Sequence, residues 1–505
     1  MASSIHDQFN ASTWLVDRQV DAGRSLHPSI RCQGQTVTYA ELLDLVNRAA
    51  TGLRRLGVRP EERVGMVMLD SIEFVVAFLA TMRIGAVPVL TNPLLPAKDL
   101  AVILADCRAR VLVISAERSE HTAAITAVAN EIAQVVTTHQ DQWQALLSDS
   151  SDGQPHSTWT ESPGFWLCTS GTTGMPKLAM HRHGDIKYTC ETYAATVLQI
   201  TPDDRFFSVG PSFHAYGLGN SVTFPLSVGA TAILEPTRPP TPALVADIVA
   251  TEKPTLFFCI PTFYAALTNA DLPDDAFASV RFGVSAAEPL PAETFARFLE
   301  RYGVTILDGI GSTEMLHIFV SNSTTALKPG TSGVPVEGYE CRVIDDDDND
   351  QPDGEPGQLI VRGESAAIGY WCRSDITRST FRGPWTYTGD LYVRSSDGFL
   401  TYLGRTDDML RVGGEWVSPA EVEAVLIEHR DVLEAAVVGE RDEQDILRPI
   451  AYVIAARSGE PPDAVALTGW CKERLAGYKR PTRYEIVADL PKTATGKIQR
   501  FKLRR

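Results

Sequence analysis

A run of small hydroxyl and glycine residues has the clearest capacity for chemistry in this sequence. It follows the apolar residues 165–168 and reads Thr169-Ser170-Gly171-Thr172-Thr173-Gly174-Met175-Pro176-Lys177. Such small residues let backbone N–H groups approach a polyphosphate, the hydroxyls add donors, and Lys177 supplies positive charge. The run therefore predicts a loop that binds the β- and γ-phosphates of ATP.

This loop differs from the Walker A loop of kinases and GTPases. The Walker A pattern is GxxxxGK[ST], whereas Lys177 follows Met175 and Pro176. A turn without a ligand would explain a few of these residues but not the whole run. The sequence therefore favours an ATP-dependent enzyme of another class.

Four further motifs follow in chain order: Asp308-Gly309-Ile310-Gly311-Ser312-Thr313-Glu314, Tyr387-Thr388-Gly389-Asp390, Gly404-Arg405-Thr406-Asp407-Asp408 and Pro491-Lys492-Thr493-Ala494-Thr495-Gly496-Lys497. With the phosphate loop, they resemble the signature motifs of the superfamily of acyl-CoA synthetases, peptide-synthetase adenylation domains and luciferases. The resemblance extends over nearly the whole chain. It implies an enzyme that joins a carboxylic acid to AMP and then passes the acyl group on.

The resemblance also implies which residues are catalytic. Attack of a carboxylate on the α-phosphate brings two anions together, so their charge must be neutralised. Thr313 would contact phosphate, and Glu314 would hold Mg²⁺, a hard cation that prefers carboxylate oxygen. Lys497 would touch the α-phosphate and the acyl oxygens during adenylation.

The predicted nucleotide site is larger. Asp390 and Arg405 would bind the two ribose hydroxyls of AMP. The residues assigned to ATP or AMP are Thr169, Ser170, Gly171, Thr172, Thr173, Gly174, Lys177, Asp308, Asp390 and Arg405.

Two reactions in one site require two arrangements, because the adenylating lysine must leave before a thiol reaches the acyl carbon. By resemblance, the hinge lies at Asp407. After rotation, Gly413 and Gly414 would face the site and admit coenzyme A, although these glycines also fit an ordinary hairpin turn.

Within the superfamily, the sequence is most similar to benzoate-CoA ligases. The similarity lies in residues 215–220, 311–322 and 491–503. It predicts a pocket for a flat aromatic acid, lined by His214, Ala215, Tyr216, Gly309, His317 and Ile318. Ordinary core packing remains an alternative for His317 and Ile318.

Three residues near this pocket depart from the family pattern. His214 stands where benzoate-CoA ligases usually have phenylalanine, and Ala287 and Leu178 each replace an expected glycine. The last two are expected to add volume to loops near ATP or the acid. Benzoate, a hydroxy- or amino-benzoate, and a small non-aromatic ring acid therefore all stay open.

Other functions were weighed against this one. An aroyl-AMP ligase that loads a separate carrier protein is the main alternative. A binding or regulatory protein without the chemistry is disfavoured by the intact motifs, and a luciferase-like oxidation would need oxygen. An amino-acid substrate is set aside, because residues 213–216 offer no aspartate for an α-ammonium group.

Composition agrees with a globular enzyme. The 505 residues include 44% hydrophobic and 22% charged residues and carry a net charge of −17, which disfavours nucleic acid and anionic membranes as partners. The eight cysteines are dispersed without metal-site spacing. With neither a leader-like nor a membrane-spanning run, the expected location is the cytoplasm.

The elements that position these motifs are predicted as an α/β fold. Apolar periodicity indicates helices at residues 39–56, 72–82 and 98–105, alternating with strands at 64–69, 86–90 and 111–115. Residues 148–163 form a polar connection that could separate two subdomains, and residues 343–402 form a β-rich subdomain whose acidic residues 345–350 are a solvated loop. We expect a large N-terminal domain of layered α/β sheets over residues 1–406 and a small, mobile α+β domain over 407–505.

Overall fold

The computed structural model describes residues 8–148, 153–169, 176–406, 408–412, 415–442, 447–456, 462–492 and 498–503. The strands in chain order are β1 Pro28–Cys32, β2 Gln35–Thr38, β3 Arg63–Val67, β4 Val87–Leu90, β5 Ala109–Ile114, β6 Gln134–Thr137, β7 Pro163–Thr169, β8 Lys177–Arg182, β9 Arg205–Ser208, β10 Thr231–Leu234, β11 Leu256–Cys259, β12 Phe282–Ser285, β13 Ile306–Gly311, β14 Ile318–Ser321, β15 Val334–Pro335, β16 Glu340–Ile344, β17 Pro356–Arg362, β18 Phe381–Arg382, β19 Trp385–Arg394, β20 Leu400–Arg405, β21 Leu410–Val412, β22 Glu415–Val417, β23 Val432–Arg441, β24 Leu447–Ala455 and β25 Arg483–Ile486.

The α-helices are α1 Ala11–Leu15, α2 Asp17–Gln19, α3 Tyr39–Arg55, α4 Ile72–Arg83, α5 Ala97–Asp106, α6 Thr122–Thr126, α7 Asp141–Leu146, α8 His183–Thr189, α9 Ala215–Leu218, α10 Phe224–Val228, α11 Pro242–Glu252, α12 Pro261–Asn269, α13 Ala292–Tyr302, α14 Ser374–Thr380, α15 Pro419–Ile427 and α16 Ala464–Arg474. Segments Val20–Arg24, Cys190–Val197 and Gly219–Thr223 are π-helical, and Ala116–His121, Gly477–Lys479 and Arg500–Lys502 are 3₁₀-helical.

Two large sheets form the N-terminal part of the molecule. One has the order β6-β5-β3-β4-β7-β8, and the other has the order β15-β14-β13-β12-β11-β9-β10-β1-β2. Their central strands pair in parallel, whereas the pairs β7–β8 and β13–β14 are antiparallel. The ends of the phosphate-loop motif therefore lie on the antiparallel pair β7–β8, and the motif that contains Glu314 begins in β13 of the antiparallel pair β13–β14.

Local sequence explains the elements that were predicted. Helix α3 begins at a capping box in which the side chains of Thr38 and Glu41 each accept the other's backbone N–H, and it covers the expected range apart from its last residue. Helix α4 is buried from Phe74 to Arg83 because other elements cover all its faces. The predicted alternation of helices and parallel strands is confirmed.

The polar connection before β7 does not separate two subdomains, contrary to our expectation. Strands β5 and β6 precede it and β7 and β8 follow it, yet all four belong to the same six-stranded sheet. Polar, turn-forming composition indicates a surface path but carries no information about which sheet the next strand joins.

The β-rich subdomain is confirmed. It is a five-stranded sheet in which β16, β17, β19 and β18 follow one another and β20 pairs with β19. The acidic run forms an exposed turn where Asp345 accepts the N–H groups of Asp347 and Asn349. Across the described residues, no group of three His, Cys, Asp or Glu side chains is arranged to hold a metal ion.

The C-terminal part combines strands β23, β24 and β25 with helices α15 and α16 around its own apolar cluster, as an α+β domain does. The boundary at residue 407 and the mobility of this domain remain predictions. No helix in the described ranges is both long and apolar enough to cross a membrane.

Candidate active site

The phosphate loop begins and ends at paired backbone positions. Thr169 ends β7 and Lys177 begins β8, and the two are partners in the antiparallel ladder. This register holds the two ends of the loop together. Five predicted loop residues lie outside the described ranges: Ser170, Gly171, Thr172, Thr173 and Gly174.

The connection between β13 and β14 places Thr313 and Glu314 near Lys177. Tyr370 donates a hydrogen bond from its hydroxyl to Oε1 of Glu314 over 2.6 Å. The ammonium nitrogen of Lys177 lies 5.3 Å from the centre of the Tyr370 ring. Tyr370 thus contacts both a cation and a carboxylate, Lys177 through its ring and Glu314 through its hydroxyl.

The surroundings of Glu314 fit a magnesium ion. Tyr370 occupies Oε1, and none of the hydrogen bonds between described residues reaches Oε2. Because Mg²⁺ is commonly bound by one or two carboxylates and completes its octahedron with water and phosphate oxygens, a lone carboxylate beside a phosphate loop is a suitable protein ligand.

The backbone of this connection is held on both sides. The carbonyl oxygen of Thr313 lies 2.8 Å from Nε2 of His181 on β8. The carbonyl oxygen of Glu314 accepts the N–H of Ala367 over 2.8 Å. Thr313 and Glu314 are therefore both anchored through their main chain, and Glu314 is also held through its side chain.

Asp390 and Arg405 face each other across the β19–β20 ladder. Arg405 Nη1 donates to Oδ1 of Asp390 over 3.0 Å and to the carbonyl of Thr388 over 2.7 Å. Burial opposes the charge of Arg405, but the carboxylates of Asp390 and Glu314 outweigh it and raise its pKa above the ordinary value. This electrostatic link joins the predicted ribose site to Glu314.

Gly389 makes the close approach of this pair possible. Its φ is +71°, in the left-handed region, and a Cβ there would lie 2.8 Å from Nη2 of Arg405. A side chain at this position would be strained and would displace the guanidinium.

Asp308 lies at the end of the parallel ladder between β12 and β13, opposite Ser285. Burial raises the pKa of its carboxyl well above the ordinary value, although backbone N–H groups of Leu290 and Gly309 oppose the shift. It lies on the same strand as Gly309, one residue before it.

The predicted acid pocket is assembled largely around His317. The His317 ring is 98% buried and lies 5.3, 5.7 and 4.5 Å from the rings of Tyr193, Tyr216 and Phe224. Its Nε2 lies 3.3 Å from the carbonyl oxygen of Tyr216. Burial lowers the pKa of His317 to about 3, so the ring is neutral at physiological pH.

The neutral ring has a defined tautomer. A carbonyl oxygen only accepts, so Nε2 carries the proton and Nδ1 keeps its lone pair. Within the described part of the chain, Nδ1 is buried without a hydrogen-bond partner. It is therefore an acceptor in an otherwise aromatic environment.

Gly309 and Ile318 form another wall beside this cluster. A Cβ on Gly309 would lie 2.9 Å from Cγ2 of Ile318 and 2.8 Å from the carbonyl oxygen of Val320. Ala215 is buried and adjacent to Tyr216, whereas His214 is half-buried at the start of α9 and packs 4.9 Å from the Phe213 ring.

Two departures from the family pattern have different structural consequences. Leu178 lies within β8 and packs in a buried cluster with Trp166 and Trp371, so the expectation that it adds volume to a site loop is wrong. Its side chain points into the core because strand residues alternate between faces. Ala287 has φ +78°, a conformation that favours glycine.

The remaining predicted residues lie outside the described ranges. They are Lys497, Asp407, Gly413 and Gly414. An isolated β-bridge pairs Lys492 with Ile498, which flank the undescribed residues around Lys497. The N–H of Gln499 donates to the carbonyl of Pro491.

Sequence reasoning did not identify Tyr370, His181 or Tyr193. Tyr370 and Glu314 are 56 positions apart, and His181 and Thr313 are 132 positions apart. His181 is four residues beyond Lys177 on the same strand, which is the one signal that could have drawn attention to it.

This chain is similar to known proteins over its whole length. The profile of the family described as AMP-binding enzyme matches residues 16–371, and that of the AMP-binding enzyme C-terminal domain matches residues 421–497. The chain is 42% identical to benzoate–CoA ligase of Thauera aromatica, over 100% of this chain and 97% of that protein. It is 40% identical to 4-hydroxybenzoate–CoA/benzoate–CoA ligase of Rhodopseudomonas palustris, over 98% and 94%. The crystal structure of an anthranilate CoA ligase with anthranoyl-AMP matches with a TM-score of 0.96 and 37% identity, over 100% and 98% of the two chains.

Proposed function

The chain belongs to the AMP-binding enzyme family, and on that premise we propose how its own residues perform the reaction. It is an AMP-forming aryl-acid–CoA ligase that uses ATP, Mg²⁺ and coenzyme A. The acid and ATP form an acyl-AMP and pyrophosphate, and the thiol of coenzyme A then displaces AMP. A carrier protein as acceptor is not favoured, because the relatives of nearly equal length are CoA ligases.

The convergence of Lys177, Glu314 and Arg405 is the observation that supports the residue roles. Tyr370 contacts the first two, and the charges of Glu314 and Arg405 act on each other. Cations and a metal-binding carboxylate gathered beside a phosphate loop suit a polyphosphate whose charge shifts during reaction.

In the proposed first step, a carboxylate oxygen of the acid attacks the α-phosphorus of ATP. The bond to the bridging oxygen breaks, and pyrophosphate leaves with the electron pair. Lys177 and the phosphate loop bind the leaving phosphates, Thr313 contacts phosphate, and Asp390 with Arg405 hold the ribose. Mg²⁺ at Glu314 would supply positive charge to the phosphate oxygens.

In the proposed second step, the thiolate of coenzyme A attacks the acyl carbon and AMP leaves. We assign Lys497 to the first step alone, the hinge to Asp407, and access for the thiol to Gly413 and Gly414. These assignments rest on the family motifs, with residues 1–406 as the AMP-binding domain and 407–505 as the mobile domain.

The proposed acid is benzoate or a substituted benzoate. Tyr216, Ile318 and the neutral His317 would provide flat and apolar walls for a ring, and the small residues Gly309 and Ala215 are assigned to the same pocket. The buried Nδ1 lone pair of His317 could accept a hydrogen bond from a ring hydroxyl or amino group. His214 occupies the rim.

Mass spectrometry of reaction products tests this function. Purified protein would be incubated with ATP, Mg²⁺ and a panel of benzoates, ring acids and fatty acids, with and without coenzyme A. We expect aroyl-CoA from one or two ring acids. Aroyl-AMP that accumulates despite coenzyme A would indicate a carrier-protein acceptor, and no pyrophosphate with any acid would indicate a protein without the chemistry.

We further propose a cytoplasmic location, with neither nucleic acid nor membrane as partner. The net charge of −17 supports this part of the proposal. Fractionation of cells that express the native chain tests it, since recovery with the membrane pellet would contradict it.

A further inference from the structure

A buried histidine and aspartate connect the phosphate-loop strand to the predicted catalytic residues. The side chains of His181 on β8 and Asp185 on α8 are both 0% exposed. Nδ1 of His181 lies 2.9 Å from Oδ2 of Asp185, and Nε2 lies 2.8 Å from the carbonyl oxygen of Thr313. Phe165 stacks on the histidine at 5.2 Å between ring centres.

The Thr313 carbonyl determines the direction of its hydrogen bond with His181. The carbonyl of Thr313 only accepts, so Nε2 of His181 donates. Asp185 already accepts from Nε of Arg182 over 2.9 Å and from the backbone N–H of Arg182 over 3.0 Å, as expected of a carboxylate. Nε2 of His181 therefore faces Thr313, and Nδ1 faces the Asp185 carboxylate.

This arrangement holds the carbonyl of Thr313 through His181, which is itself held by the ion pair of Asp185 and Arg182. Hydrogen bonds that include a charged partner, such as the Asp185 carboxylate, are stronger and shorter than neutral ones, and low exposure strengthens them further. Asp185 and Arg182 hold the imidazole, and the imidazole holds Thr313. Lys177 begins the same strand as His181, so one rigid element connects the phosphate loop to Glu314.

We propose that His181 is a positioning residue for adenylation. It sets the position of Thr313 and Glu314 relative to Lys177, and it touches neither substrate nor metal. This inference rests on the proposed roles of Glu314 and Lys177. If the inference is right, loss of the bond to Thr313 slows acyl-AMP formation far more than thioester formation. Thioester formation from supplied acyl-AMP does not require the triphosphate to be aligned.

Two substitutions separate the two ring nitrogens. In His181→Gln the side-chain amide takes the place of Nε2 and can still donate to Thr313. In His181→Asn the shorter amide takes the place of Nδ1 and can reach only Asp185. We expect acyl-AMP formation by His181→Asn to fall about tenfold to a hundredfold, with a higher Mg²⁺ requirement, because small misplacements of reacting groups have effects of this size. His181→Gln should retain most of the rate.

Both half-reactions would be measured for each variant. Pyrophosphate release reports adenylation, and conversion of synthetic aroyl-AMP with coenzyme A reports thioester formation. His183→Gln is the matched control, because His183 is equally buried and accepts the N–H of Ala11 instead of contacting Thr313. The control should lower the thermal midpoint without changing the ratio of the two rates.

Equal losses in His181→Asn and His181→Gln, or equal losses in both half-reactions, would overturn the inference while leaving the ligase function intact. A wild-type chain that forms no aroyl-AMP with any ring acid would overturn both. Nitrogen NMR of histidine-labelled wild-type protein detects the proton on the ring nitrogen directly. A ring Nε2–H on His181, assigned by its absence in His181→Gln, is expected, and an unprotonated Nε2 would contradict the proposal.

Discussion

The hydroxyl of Tyr370 donates to Oε1 of Glu314 over 2.6 Å, and this bond selects the carboxylate oxygen that remains for a metal. Burial and the neighbouring Glu314 carboxylate raise the pKa of Tyr370, so the phenol keeps its proton and acts as a donor. The Glu314 side chain is therefore held in one rotamer before any ligand arrives. Preorganisation of this kind lowers the cost of binding Mg²⁺ in the correct geometry.

Replacement of Tyr370 by phenylalanine should weaken adenylation. A hydrogen bond to a charged group contributes about 1.5–3 kcal/mol, which corresponds to a loss of roughly tenfold to a hundredfold. We expect slower pyrophosphate release and a higher Mg²⁺ requirement in Tyr370→Phe, with thioester formation from supplied aroyl-AMP retained. Tyr39→Phe is the matched control, since the Tyr39 hydroxyl bonds to Ala230 in the core. A Mg²⁺ titration unchanged in Tyr370→Phe would contradict the assigned role of Glu314.

Removal of the Asp390 carboxylate should weaken nucleotide binding. Asp390→Asn keeps the shape but loses the charge that pairs with Arg405. We expect KM for ATP to rise about tenfold, with KM for the acid nearly unchanged, because the lost charge-assisted hydrogen bonds concern the ribose site. Asp353→Asn removes a comparable but more exposed partner of Arg394 on the same sheet and should leave both constants unchanged. Equal rises in both KM values would refute a specific ribose role.

A methyl group at Gly309 should obstruct the acid pocket. Its Cβ would lie 2.9 Å from Ile318, which is closer than carbon atoms pack without displacement. We predict that Gly309→Ala raises KM for the aromatic acid about tenfold and leaves KM for ATP within about twofold, as loss of a well-fitted apolar contact does. Gly469→Ala, where no atom lies within 4 Å of the new Cβ, serves as the control. Unchanged acid kinetics in Gly309→Ala would place the ring elsewhere.

Replacement of Ala287 by glycine should stabilise the protein. Ala287 has φ +78°, and a non-glycine residue in the left-handed region costs about 1–2 kcal/mol, partly offset by the greater unfolded-state entropy of glycine. Ala287→Gly should therefore raise the thermal midpoint, measured by calorimetry. Ala246→Gly, inside helix α11, should instead lower it through loss of about 1 kcal/mol of helix propensity. A lower midpoint for both variants would exclude strain at position 287.

Acidification should destabilise the protein partly through its buried histidines. Burial lowers the pKa values of His183 and His317 to about 3 in the folded state, below the ordinary value of 6.5. The unfolded chain therefore binds more protons than the folded chain between these values. Stability is fully present above pH 6.5 and is lost as pH falls towards 3.

Denaturation at pH 7 and pH 5 measures this effect. Each histidine should contribute about 2 kcal/mol to the loss of stability over this interval, given 1.36 kcal/mol per pH unit. The difference between the two pH values should be smaller in His183→Gln than in the wild type. An identical pH dependence would show that His183 is protonated in the folded protein.

The predictions of a phosphate loop and of a metal-binding Glu314 rest on short-range patterns and on the family resemblance. One pattern is a run of small residues that ends in Pro-Lys after an apolar strand. The other is an acidic residue after a glycine-rich strand. Each pattern predicts the same local function wherever its strand lies in the sheet. Helix α3 could also be predicted, because its capping box and apolar spacing are local properties. The same applies to the exposed acidic turn at Asp345.

Contacts between distant segments could not be predicted in this way. Tyr370 stands in a Gly-Tyr-Trp sequence with no acid or base beside it, yet its hydroxyl determines which oxygen of Glu314 stays available. Leu178 was expected to crowd a site loop, but the strand register turns its side chain towards Trp166 and Trp371. A one-residue change of register reverses the face of every side chain on a strand.

The amino-acid sequence by itself determined the reaction class and the α/β architecture, and it predicted Lys177, Glu314, Asp390 and Arg405 as a nucleotide set. Only the tertiary structure decided that Tyr370 bonds to the Glu314 carboxylate and that His181 bonds to the carbonyl of the preceding Thr313. The reason is physical: residue type and spacing encode what a side chain can do locally. Which groups meet depends on the pairing of strands far apart in the chain, and this pairing minimises the free energy of the whole fold.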